Sequence, residues 1–132
     1  MKQSYRTALL IASALLMMFG AVGYTFAVVP DLHGDLVEIG VRPTVLGGTV
    51  LYLYFSAIAM FGFALMVSAA AIQAIRGIPP ARIPLAVVAV IYTAFGIMAF
   101  SRSHNPHHLG PLAMGVLLGA ALAIPRSKRS PT

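Results

Sequence analysis

The chain has 132 residues, 59% apolar and only 9% charged, with a formal net charge of +6 and no cysteine. About a quarter of an ordinary soluble domain is charged, so a water-soluble fold of this size would have nowhere to put so much apolar surface. Composition therefore points to a single membrane-embedded domain, 1–132, and the missing cysteine excludes disulfides, thiolate metal sites and cysteine nucleophiles.

A short polar start carrying Lys2 and Arg6 precedes the first apolar run, 8–29. A basic start before an apolar run also describes a signal peptide. This run, however, continues through Tyr24 and Phe26 to Pro30, beyond the roughly 7 to 15 residues of a signal core, and is expected to be an uncleaved span.

The segment 30–48 is the most polar and holds every carboxylate of the chain, Asp31, Asp35 and Glu38, together with His33. Spacings of four and three set the acids along one side of a short helix, with Leu32, Leu36 and Ile39 on the adjoining side. An interfacial amphipathic turn is expected. Glu38 is placed to reach Arg42, and Arg42-Pro43 should end any helix there.

The second run, 49–75, contains no charge, proline or histidine. As a helix it would measure about 40 Å, more than the roughly 30 Å hydrocarbon core of a bilayer. Lipid offers the backbone no hydrogen-bond partner, so each such run must close its own amide ladder as an α-helix. The connector 76–84 follows, with Gly77 placed to cap the second span and Pro79, Pro80 and Pro84 forbidding its continuation. So short a link predicts that the second and third spans are antiparallel neighbours.

The third span is expected over 85–101, and a polar loop with Arg102, His104, His107 and His108 leads to a fourth over 109–124. Pro125 and a basic tail, Arg126, Lys128 and Arg129, close the chain. The fold class predicted is all-α, an integral membrane antiparallel four-helix bundle. Seven cations, Lys2, Arg6, Arg76, Arg82, Arg126, Lys128 and Arg129, collect on one side of that layout; Arg42 and Arg102 stand on the other. The positive-inside rule then places both termini in the cytoplasm of, most simply, a bacterial inner membrane. Basic clusters beside apolar runs, without interleaved aromatics, are topology determinants, and no nucleic-acid partner is expected.

With both polar loops on the outer side, His33, Asp31, Asp35, Glu38, His104, His107 and His108 form the strongest constellation. Imidazole and carboxylate are the ligands a divalent metal such as zinc accepts where no thiolate exists, so His33, His104, His107 and His108 are candidate metal ligands. His33, Asp35, Glu38 and His107 are candidate catalytic groups, because histidine titrates near neutrality and a carboxylate can orient its ring. The bland alternative is a solvated membrane surface.

No ionisable residue falls inside a predicted span, which argues against a proton-coupled pump. The fourth span carries Gly115-x-x-x-Gly119-x-x-x-Ala123, a small-residue stripe that lets helix backbones approach closely. Tyr24, Tyr52, Tyr54 and Phe55 suit an interfacial aromatic belt, and Tyr92 with Thr93 is a buried polar pair expected to bond a neighbouring helix or a carbonyl one turn back. The layout resembles several families of small bacterial four-span proteins, the DoxX-like group among them, in topology and in no motif. Two functions follow as expectations. One is a non-enzymatic membrane component packing with partner helices or with further copies of itself. The other is a small membrane enzyme or metal-binding protein with its His/carboxylate site at the outer face.

Overall fold

The computed structural model describes residues 2–104 and 106–125, with Lys2 given as backbone alone; the basic tail at Arg126, Lys128 and Arg129 lies outside the described residues. Helix α1 spans Lys2–Gly23, a π-helical turn follows over Tyr24–Val28, and α2 spans Val29–Glu38. These three pieces run on as one helical rod. Helix α3 spans Pro43–Ile75, α4 spans Arg82–Ser103, a 3₁₀ turn covers Pro106–His108, and α5 spans Leu109–Ala123. Among the described residues there is no strand.

The first boundary differs from expectation, and Pro30 supplies the reason. Proline has no N–H, and its ring clashes with the carbonyl four residues back, so an α-helix should break or kink there. The turn just before it widens instead: Val29 N–H donates to Tyr24 O, five residues back. This π turn absorbs the misfit, and the helix passes through Pro30 to Glu38 rather than stopping at Val29. It ends where glycine allows. Gly40 takes φ +71, with Gly40 N–H donating to Val37 O at 3.1 Å and Val41 N–H to Leu36 O at 3.2 Å, the paired bonds of a Schellman cap.

Helix α3 begins at Pro43 and runs 33 residues, taking in Gly47 and Gly48, which the sequence assigned to the preceding loop. Pro43 suits the first turn, where its missing donor costs nothing. The far end of α3 repeats the earlier device: Gly77 at φ +73 donates to Ala74 O, and Ile78 N–H to Gln73 O at 2.8 Å. The glycine cap expected there is present.

Three helical stretches, Gln3–Glu38, Pro43–Ile75 and Arg82–Ser103, are long and apolar enough to cross a membrane. Helix α5, at 15 residues, measures about 22 Å and falls short of that length by itself.

The pairing of helices corrects one expectation. Helix α1 packs on α3 and on α5, and α5 packs extensively on α4, whereas α3 and α4, joined by the short connector, scarcely touch. Prolines at 79, 80 and 84 stiffen that link, so it spaces the helices instead of folding one onto the other. Two helical hairpins thus lie side by side through α1 and α5. Their common core draws Leu10, Ala14 and Met17 from α1, Ala64 and Val67 from α3, Leu85, Val88 and Tyr92 from α4, and Leu118 and Ala121 from α5. Alanines lie among larger Leu, Val, Met and Tyr side chains in this core.

Candidate functional site

The candidate polar residues stand on two elements at one end of the molecule. Asp31, His33, Asp35 and Glu38 lie exposed along α2. His107 and His108 occupy the 3₁₀ turn, with His107 exposed and His108 half-buried. His104 has a local structural role: it takes the left-handed conformation at φ 52, and its N–H donates to Phe100 O at 2.8 Å to close α4. Its ring lies tilted 6.2 Å from that of Phe100.

Relative heights follow from one contact. Gly20 of α1 faces the end of the Met114 side chain of α5, which sets these two residues within about one helical turn of each other in height. From Gly20, His33 lies about 20 Å further along its helix; from Met114, His107 lies about 10 Å back toward the same end. The two groups share an end but are offset by about 10 Å. Among the described residues, no three histidine or carboxylate side chains come close enough together to hold a metal ion. The candidate ligands His33, His104, His107 and His108, and the candidate acid–base set His33, Asp35, Glu38 and His107, are divided between α2 and the segment 104–108.

Arg6 lies in the interior. The sequence placed it in a polar start, but it is only 8% exposed, on the same face of α1 as buried Leu10, Ser13, Met17 and Ala21. That spacing of three and four was the signal available. From Arg6 to Tyr24 the helix measures about 27 Å, close to one hydrocarbon thickness. Tyr52, Tyr54 and Phe55 of α3 are exposed, and counting back from the Gly40 turn sets them near the level of Phe26.

Hydroxyl groups within the helices are mostly satisfied one turn back. Ser13 donates to Leu9 O, Thr25 to Ala21 O, Ser56 to Tyr52 O and Ser68 to Ala64 O, at 2.7 to 2.9 Å. Tyr92 departs from this pattern and from its expected role. It is 4% exposed, its ring meets Phe63 of α3 edge-on at 6.1 Å, and its hydroxyl has no hydrogen-bond partner among the described residues. Tyr92 and Phe63 bridge α3 and α4 where those helices otherwise stand apart.

The small-residue stripe divides into two parts. A Cβ on Gly115 would collide with Thr93 and would sit 2.8 Å from Ala89 O; one on Gly96 would sit 2.5 Å from Leu112 N. Only glycine permits α4 and α5 to approach so closely. Gly119, by contrast, has open space where a side chain would go, and Ala123 is exposed. Ala89, Val90, Thr93, Ala94, Ile97, Gly115, Val116 and Gly119 line a shallow apolar groove of about 390 Å³ on that outer face. No family model, curated protein or solved structure matches the chain.

Proposed function

We propose that this is a small four-span integral membrane protein of a bacterial inner membrane, with both termini cytoplasmic, acting as a non-enzymatic component that packs with partner helices in a membrane assembly. In this reading α5, with the 3₁₀ turn before it, is the fourth and shortest span. The bilayer core occupies the slab from Arg6, Arg76 and Arg82 to the aromatics around Tyr24 and Tyr54, and the α2–α3 turn projects beyond it.

The observation that supports this reading is the unequal use of the glycine stripe. Gly115 is consumed by the contact between α4 and α5, while Gly119 opens onto an apolar groove able to seat another helix. Small-residue surfaces favour helix association in lipid because backbones can approach closely. A photo-crosslinking residue at exposed Val116 should capture a protein in native membranes, and Gly119→Leu should weaken that capture without loss of thermal stability. Gly115→Ala should instead destabilise the bundle itself by about 1–3 kcal/mol through overpacking. A protein that runs as a lone monomer, with Val116 labelling lipid alone, would overturn the proposal.

A further inference from the structure

We infer that the end of the bundle bearing Arg6, Arg76 and Arg82 binds anionic phospholipid in preference to zwitterionic phospholipid. The inference rests on the membrane placement proposed above and adds a ligand to it. Arg76 caps the C-terminus of α3 and Arg82 opens α4; both are exposed, and Arg82 donates to Ile124 O at 3.4 Å, which brings the start of α4 beside the end of α5. Arg6 contributes its charge from within the bundle at the same end. All three carboxylate side chains of the sequence, Asp31, Asp35 and Glu38, belong to the opposite end, so no acidic side chain stands beside the exposed Arg76 and Arg82.

Charge alone would suit any phosphate. What selects a lipid is the apolar surface beside each exposed arginine: Ile75 precedes Arg76 and is 62% exposed, and Ile83 follows Arg82 and is 80% exposed. An anionic phospholipid sets its phosphate over the guanidiniums and its acyl chains along the isoleucines; a free anion lacks the chains, and a zwitterionic lipid carries its own ammonium, which offsets the phosphate charge and repels the arginines. Guanidinium pairs with phosphate oxygens through two parallel N–H donors, and each cation near an anionic surface favours binding by about five-fold.

The test reconstitutes the full chain in nanodiscs of equal dioleoyl-phosphatidylglycerol and dioleoyl-phosphatidylcholine, re-extracts it in mild detergent and measures the retained ratio by mass spectrometry. The wild type should retain the glycerol lipid several-fold over the choline lipid. Arg76→Gln with Arg82→Gln should bring the ratio near one, while Arg102→Gln, which removes the same kind of charge from the other end of α4, should leave it unchanged. If the double variant fails to reconstitute, Arg76→Gln alone, at an exposed position in a turn, should lower the ratio to a value between that of the wild type and one. Equal retention by the wild type, an equal loss in Arg102→Gln, or full displacement by millimolar inorganic phosphate would overturn the inference. Alkaline-carbonate extraction of the same samples reports membrane insertion separately, so failure of the lipid preference is distinguishable from failure of the membrane placement.

Discussion

Tyr92 shows how a buried polar atom separates packing from chemistry. Its ring fills the space between α3 and α4 against Phe63, while its hydroxyl meets no partner among the described residues. A buried donor without a partner forfeits the hydrogen bonds it made in water, at a cost of about 1–3 kcal/mol. Tyr92→Phe keeps the ring and removes the liability, so thermal unfolding in detergent should show stability unchanged or raised by about 1 kcal/mol. A drop of that size would mean that the hydroxyl is held by a group bound in the living membrane. The sequence identified Tyr92 as buried, because it lies mid-span in an apolar run. It could not say what faced the hydroxyl, since that depends on which helix arrives opposite.

Among the elements, the rod from α1 through α2 is the most instructive. The sequence reading ended the first span just before Pro30. The π turn over Tyr24–Val28 carries the helix on by shifting the hydrogen-bond register one residue before proline arrives, with Val29 bonding Tyr24. Thr25 donates to Ala21 O on the same stretch. Pro30→Ala restores the missing donor and removes the clash, so the rod should remain helical, and hydrogen exchange at residues 26–29 should become slower than in the wild type. Faster exchange would show that proline rigidifies this turn instead of straining it. The end of α3 was legible, because Gly77 caps it at positive φ as expected, and Pro84 sits in the first turn of α4; the Gly40 cap and the start of α3 at Pro43 were not read from the sequence. The Gly77 cap is set by a few neighbouring residues, which is why sequence found it.

At the scale of the molecule, the packing order decides what the polar residues can do together. Helix α1 meets α5 with Gly20 within about one helical turn of Met114 in height, so α2 stands above the turn that carries His107 and His108. Both polar segments nevertheless share one end, and this admits a direct check in a protein with no cysteine of its own. Asp35→Cys and His107→Cys should both react with an impermeant maleimide from the same side of sealed membranes. Labelling from opposite sides would require a different number of crossings. The small-residue stripe was visible as a pattern, but its division was not, because only the fold brings Thr93 and Ala89 against Gly115 and leaves the space beside Gly119 empty.

By itself the sequence determined that the chain is helical, that long apolar runs dominate it, and that its acids and histidines lie apart from most of its cations. These follow from composition and from the demand that buried backbone bond to itself, and neither needs a neighbour to be specified. Tertiary structure alone decided that α3 pairs with α1 while α4 pairs with α5, that Arg6 is interior, and that α2 with its acids and His33 stands apart in height from the turn with His107 and His108. Those outcomes depend on which surfaces approach most closely across space, and closeness between helices is a property of two faces at once.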